Sequence, residues 1–407
     1  MRNLTTTAAV VAMLAIAACG GSDATQDDAT DVEDQAVDEV VETVEPDPTL
    51  PPATEPPATE PPGTEPPDAE PVETPPSTEL LVEPVAWAQI IPDSPDCACS
   101  DGSEFSFFER AGDPTKVMFY FEGGGACFNL ATCDPNGDPT YTISIGQTVD
   151  DLGGRGGLFD ATNPENPLAD YSIVYVPYCT GDVHLGNTTT EYSPEVTVEH
   201  RGAANSQAAL DYLTQQYPDA DQVLVTGASA GSVPTPVVAG LVSDELPDAR
   251  IITLGDSSGA YPDVPAVNEL IGNLWGTTNA IPEWPVNENL AAADWSFPDL
   301  YVQAGRHAPD ITFARFDYAF DEVQATFAAL AGVGADAVVD QIDATEDQIE
   351  ALGIPLATYV APGSAHTIIG GDEVYEMEVE GVRLIEWIIE LVDGGVPADV
   401  HCIDCQG

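Results

Sequence analysis

The chain is 407 residues long and carries 70 acidic against nine basic side chains, a formal net charge of −61. Nucleic acid needs a basic footprint and is excluded as a partner. A polyanionic substrate is disfavoured unless salt screens the field, so a saline habitat accounts for such a surface.

Residues 1–18 read as a signal peptide. Arg2 supplies a short positive start, residues 8–17 form an apolar stretch too short to span a membrane, and Ile16-Ala17-Ala18-Cys19 sets small residues before a cysteine. That tetrad resembles a bacterial lipobox, which implies cleavage before Cys19, lipidation of its thiol, and export to the periplasm or cell surface. The lipid is then the only expected contact with membrane. Residues 19–83 follow as a linker: positions 22–83 hold 19 acidic residues, no basic ones and almost nothing able to build a core. Pro-Pro-Ala-Thr-Glu repeats at Pro51 and Pro56 and decays at Pro61 and Pro66. Proline at that density favours an extended conformation, so twenty such residues reach about 60 Å as a stiff stalk.

Residues 84–407 are long enough for one large domain, with 51 acidic and eight basic residues and a net of −43. Short β-rich runs alternate with helical stretches, which predicts an α/β domain with a mostly parallel sheet. Strands are expected at 117–121, 172–176, 222–226, 250–254 and 355–360. After the first comes Phe121-Glu122-Gly123-Gly124-Gly125-Ala126-Cys127. Such glycines let the backbone come close and aim N–H groups inward, as an oxyanion site requires; a simple turn is the plainer use. A phosphate loop is disfavoured because no Lys-Ser/Thr follows. A helix is expected over 202–217.

The run Val223-Leu224-Val225-Thr226 leads into Gly227-Ala228-Ser229-Ala230-Gly231, the pattern of a nucleophile elbow. Pro234 and Pro236 fall in the first turn beyond it, where amides lack intrahelical partners. A serine hydroxyl is a poor nucleophile at neutral pH, so Ser229 needs a histidine base and an acid to orient it. Asp256, in Gly255-Asp256-Ser257-Ser258-Gly259, and Asp321, in Phe320-Asp321-Glu322-Val323-Gln324, both lie between Ser229 and the best-placed histidine, and spacing does not separate them. That histidine is His366, in a Pro/Gly loop just past an expected strand. His307 and His401 are the other two that follow the serine. A final helix is expected over 372–392, stopping at Gly394-Gly395.

Apart from Cys19 there are seven cysteines, an odd number: Cys97, Cys99, Cys127, Cys133, Cys179, Cys402 and Cys405. Export makes disulfides the default, with one thiol left over or paired between chains. Zinc ligation by Cys97-x-Cys99 or Cys402-x-x-Cys405 is the weaker alternative, since no histidine or further CxxC has finger-like spacing.

Five segments in order resemble the pectin acetylesterase family. They are Phe119-Tyr120-Phe121-Glu122-Gly123-Gly124-Gly125-Ala126-Cys127-Phe128-Asn129 with Cys133, then Pro177-Tyr178-Cys179-Thr180-Gly181-Asp182-Val183-His184-Leu185-Gly186, Arg201-Gly202, the elbow, and His366-Thr367. The resemblance covers about 99–393. It implies an α/β-hydrolase fold with Ser229 as nucleophile and His366 as base. It favours Asp321 over Asp256, because Ala319-Phe320-Asp321-Glu322-Val323-Gln324 is similar to the family's Ala-Tyr-Asp-Ser-Trp-Gln. The oxyanion donors would be the amides of Gly124, Gly125 and Ala230. A Cys127–Cys133 disulfide and a second one from Cys179 to Cys97 or Cys99 are also implied, with Asp182 and His184 at the pocket rim. The implied protein is an exported serine carboxylesterase that removes O-acetyl groups from a polysaccharide, working as a monomer without cofactor or metal. The alternatives are a lipase-like esterase for longer acyl groups, or a surface-displayed binding protein with a dead site.

Overall fold

The computed structural model describes residues 86–330 and 338–405. The signal peptide expected at 1–18, Cys19 and the whole of the linker expected over 19–83 therefore lie outside the described residues. In chain order the strands are β1 (Trp87–Ile90), β2 (Phe107–Arg110), β3 (Asp113–Phe121), β4 (Tyr171–Val176), β5 (Thr188–Ser193), β6 (Val196–His200), β7 (Gln222–Ala228), β8 (Arg250–Asp256), β9 (Phe313–Tyr318), β10 (Leu356–Ala361), β11 (Glu378–Val379), β12 (Val382–Arg383) and β13 (Val400–His401).

Nine of these form one sheet in the order β1-β2-β4-β3-β7-β8-β9-β10-β13. From β4 to β13 every neighbouring pair is parallel, and only β1 and β2 run antiparallel at one edge. A parallel sheet needs both faces covered, and the side-chain alternation of the strands supplies two apolar layers. Val117, Phe119 and Phe121 of β3 face one core while Met118 and Tyr120 face the other. Helix Gly202–Gln216 lays Ala209, Leu210 and Leu213 on the first layer; helix Leu384–Val392 lays Leu384, Ile385, Trp387, Ile388, Leu391 and Val392 on the second. Each such large apolar side chain contributes about 1.5–3 kcal/mol on burial. The architecture is an α/β fold, a mostly parallel sheet flanked by helices, consistent with the hydrolase fold.

All five expected strands are present: four are longer than expected by one to four residues, and the fifth, expected at 355–360, is shifted by one residue. The continuous helix expected over 372–392 is not. A short helix, Glu373–Glu376, is followed by the β11–β12 hairpin, and only then by Leu384–Val392. The hairpin turns at Glu380 and Gly381, both at positive φ, which a helix cannot accommodate. An apolar periodicity that spans both pieces hid the break.

Three disulfides form among the described cysteines: Cys99–Cys179, Cys127–Cys133 and Cys402–Cys405. Cys179 thus takes Cys99 of the two partners considered, and Cys97 is left as a half-buried thiol. Because Cys99, Cys402 and Cys405 are disulfide-bonded, neither cysteine pair is free to bind zinc as thiolates.

Candidate active site

Strand β7 is the middle strand of the nine, with β3 on one side and β8 on the other. The glycine loop leaves the C-terminal end of β3, Ser229 that of β7, Asp256 that of β8, Asp321 follows β9, and the His366 loop follows β10. Five neighbouring parallel strands therefore deliver their loops to one edge of the sheet, where open α/β sheets place ligands.

Ser229 sits at φ +55°, a conformation uncommon for a residue with a side chain, at the start of a 3₁₀ turn, Ser229–Gly231, that follows the strand without a spacer. The turn is possible because its neighbours lack side chains. A Cβ on Gly231 would lie 2.1 Å from the Phe121 carbonyl oxygen. Gly123 abuts the serine itself: a Cβ there would lie 2.8 Å from the Ser229 Cβ. The glycine loop and the elbow are thus in backbone contact. Ala230 lies in the first turn, where N–H groups have no intrahelical partner, and Gly124 and Gly125 donate no backbone bond elsewhere among the described residues. Gly125 is at φ +77° and bridges Tyr141, while the Gly124 carbonyl accepts from the Thr142 amide at 2.9 Å.

Beneath this loop lies a buried polar frame. Glu122 accepts from the Tyr175 hydroxyl at 2.6 Å, Gln147 Nε2 at 2.6 Å and the Tyr178 amide at 3.2 Å, and desolvation raises its pKa. The Arg155 guanidinium stands 3.7 Å from the same carboxylate. The Glu122 carbonyl oxygen meets His184 Nε2 at 2.8 Å. His184 is fully buried, and desolvation pulls its pKa down to about 4, so it is a neutral donor to that carbonyl at neutral pH. Asp182, also buried, accepts from Thr180 Oγ1 at 2.6 Å, the His184 amide at 3.1 Å and the Gly202 amide at 2.9 Å. The Asp182 and His184 segment therefore braces the glycine loop from behind; neither residue lines the cavity rim where they were expected. It also explains Arg201-Gly202, since a Cβ on Gly202 would lie 2.3 Å from the Asp182 carboxylate.

The base and acid meet as a pair. His366 Nδ1 lies 2.7 Å from Asp321 Oδ2, and Asp321 is fully buried. Asp321 Oδ1 accepts the amides of Val323 and Gln324 at 2.9 Å each, and Oδ2 accepts Gln324 Nε2 at 3.2 Å. Gln324 is itself held by Asp317 at 2.9 Å and by the Ala260 amide at 2.9 Å, and Asp317 is paired with Arg315 at 2.7 Å. Gln324 closes the segment whose resemblance pointed to Asp321, whereas nothing in the local pattern singled out Asp317, the residue that holds it. The other ring nitrogen, His366 Nε2, is buried with no hydrogen-bond partner among the described residues. It makes no hydrogen bond to Ser229. Asp256 does not touch the ring; it binds the backbone just beyond it. His307 pairs with Asp244 at 2.6 Å and stacks on Trp284, and His401 lies 3.1 Å from Asp343, so both belong to other regions.

A cavity of about 160 Å³ opens beside Ser229. Gly125, Ala230, Val233, Ile271, Trp275 and Phe297 are among its walls, and Leu270 and Leu330, each about half exposed, stand at its margin. The walls are overwhelmingly apolar, which suits a hydrocarbon and offers little to the hydroxyls of a sugar. No helix among the described residues is long and apolar enough to cross a membrane.

The family model of Pectinacetylesterase matches residues 86–277, which contain the glycine loop, the elbow and both disulfides of the β-sheet edge. Among curated relatives, the chain is 27% identical over 148 residues to the palmitoleoyl-protein carboxylesterase NOTUM of Schmidtea mediterranea, covering 35% of this chain and 28% of the relative. It is 25% identical over 179 residues to pectin acetylesterase 5 of Arabidopsis thaliana, covering 43% and 41%. It is 26% identical over 110 residues to the inactive palmitoleoyl-protein carboxylesterase notum1b of Danio rerio, covering 26% and 76%. The chain thus spans well under half the length of the first two relatives.

Proposed function

We propose, from the match to the Pectinacetylesterase family model and to the two carboxylesterase relatives, that the chain is a member of the pectin acetylesterase family and an exported, lipid-anchored serine carboxylesterase. Ser229 Oγ attacks the ester carbonyl, His366 Nε2 takes its proton and returns it to the leaving alcohol, and Asp321 holds Nδ1–H so that Nε2 is the free nitrogen. Water then enters and gives a proton to the same nitrogen as its oxygen bonds to the acyl carbon; the acyl–Oγ bond breaks, the proton passes from Nε2 to Ser229 Oγ, and the carboxylic acid leaves. The amides of Gly124, Gly125 and Ala230 hold the oxyanion in both steps. The observation that carries this reading is the convergence, at one sheet edge, of a serine on a positive-φ elbow, a glycine loop pressed against its Cβ, and a buried Asp321–His366 pair.

Two acyl groups compete for the site. Family membership favours O-acetyl groups of a polysaccharide. The apolar cavity beside Ser229 favours the second reading, an acyl chain longer than acetyl, and the domain's acidity disfavours polygalacturonate at low salt. Hydrolysis of acetyl and octanoyl nitrophenyl esters, alongside acetate release from neutral and acidic acetylated glycans, tests both, with Ser229→Ala as control. Equal rates for wild type and Ser229→Ala would sink the esterase reading in favour of a binding protein with a dead site. A preference for octanoyl selects the longer chain, and a preference for acetylated glycans selects the family's activity.

A further inference from the structure

The loop that carries His366 has no secondary structure of its own, yet the residues after the histidine are gripped from a neighbouring strand end. Asp256 closes β8, is fully buried, and its Oδ2 accepts the amides of Ile368 at 2.8 Å and Ile369 at 3.0 Å. Ser257 Oγ accepts the Thr367 amide at 3.0 Å and donates to Asp256 Oδ1 at 3.2 Å. Three consecutive amides following the base are therefore held by two consecutive side chains, 110 residues or more away in sequence. Both ends of this clasp are bent into positive φ, Ser257 at 66° and Thr367 at 64°. Such backbone persists only where its surroundings over-determine it.

We infer that Asp256 and Ser257 are positioning residues for the base, clasping the amides of 367–369 while the Asp256 carboxylate adds a second negative charge near the His366 imidazolium. This rests on the Ser229, His366 and Asp321 reading proposed above. The groups facing Asp256 are His366, Ser257, Tyr120 of β3 and Tyr318 of β9, and both tyrosines titrate far above neutrality because burial raises them. His366 is thus the one facing group able to carry a positive charge, and the two attract when the imidazole is protonated. Burial raises Asp256 to about 6, so the carboxylate is charged at neutral pH and holds the clasp most strongly there.

The test is kinetics of Asp256→Asn, Ser257→Ala and Asp321→Asn on a nitrophenyl ester across pH. Asparagine keeps an acceptor for the two amides, so Asp256→Asn is expected to fold, to lose about tenfold in kcat with KM unchanged, and to move the acid limb of kcat/KM to lower pH. The direction follows because an imidazolium that loses a nearby anion gives up its proton more readily. Ser257→Ala is expected to lose a few-fold in kcat with the acid limb unmoved. A wild-type kcat and acid limb in Asp256→Asn overturns the inference while Ser229→Ala remains inactive; an active Ser229→Ala instead defeats the reading beneath it. A loss in Asp256→Asn as deep as that in Asp321→Asn also overturns it, by making Asp256 the orienting acid. Should Asp256→Asn fail to fold, amide hydrogen exchange in the wild-type protein decides: protection at Thr367, Ile368 and Ile369 supports the clasp, and fast exchange there overturns it.

Discussion

The serine side of the site is held backbone against backbone, whereas the base side is held by carboxylates gripping amides. Around Ser229, Gly123 and Gly231 bring two chain segments closer than any Cβ allows, with the closest approach 2.1 Å between a would-be Gly231 Cβ and the Phe121 oxygen. Around His366, by contrast, Asp321, Asp256 and Ser257 supply side-chain hydrogen bonds across 45 to 113 residues of sequence. A backbone contact tolerates no added atom. A side-chain grip tolerates an isostere and pays in charge or geometry, so the two halves should fail differently.

The largest effect is expected from Ser229→Ala, which removes the hydroxyl proposed to attack the ester: kcat on acetyl or octanoyl nitrophenyl ester should fall about 10⁴-fold or more, with the fold intact by circular dichroism. Asp321→Asn should follow, losing about 10³- to 10⁴-fold in kcat because asparagine can turn an N–H towards Nδ1 and favour the wrong tautomer. Gly231→Ala probes the other mode of construction. Its Cβ has nowhere to go, so a denaturant melt should show destabilisation of about 3 kcal/mol or more, with activity lost alongside stability rather than before it. Smaller still, Val267→Phe on the cavity wall should lower kcat/KM for octanoyl about tenfold and leave acetyl within about twofold. Equal losses on both esters would mean that the cavity does not hold the acyl chain.

The smallest expected effect concerns the brace behind the glycine loop. His184 is depressed to about 4 in the folded protein, so between that value and its ordinary one near 6.5 the unfolded chain binds more protons. Stability from keeping His184 neutral is present above about 6.5 and is lost as pH falls towards 4. Asp256, raised to about 6, works in the opposite sense over part of that window, so the readout is a difference. The melting temperature of wild type should fall more steeply than that of His184→Gln between pH 6.5 and 4.5, glutamine keeping a donor for the Glu122 carbonyl. Parallel curves would show that His184 takes up its proton as readily in the fold as in the unfolded chain, which defeats the buried neutral imidazole.

The two modes of construction also explain what could be read in advance. The elbow and the glycine loop are local: each is a strand, a run of small residues and a turn, all within about a dozen positions, and the α/β class follows from the alternation of such runs. The disulfide of Cys127 and Cys133, which the family resemblance implied, also closes a short loop. The hairpin at 378–383 escaped because its turn residues, Glu380 and Gly381, interrupt an apolar periodicity too briefly to show. Asp182 and His184 were visible as a motif, but their depth behind the loop was not, since burial is a property of what packs over a residue.

Composition and spacing by themselves determined the acidity of the chain, the mostly parallel sheet, and the candidate serine with its glycine loop, because these depend on neighbours in sequence and on the steric freedom of glycine. Spacing left two aspartates equal and the family resemblance favoured Asp321, but only the tertiary structure shows the reason: β8 and β9 are adjacent strands, so both carboxylates reach the His366 loop, and the three-dimensional course of that loop puts Asp321 on the ring and Asp256 on the amides beyond it. Hydrogen bonding acts over about 3 Å, and contacts that close depend on which loops the sheet order brings together.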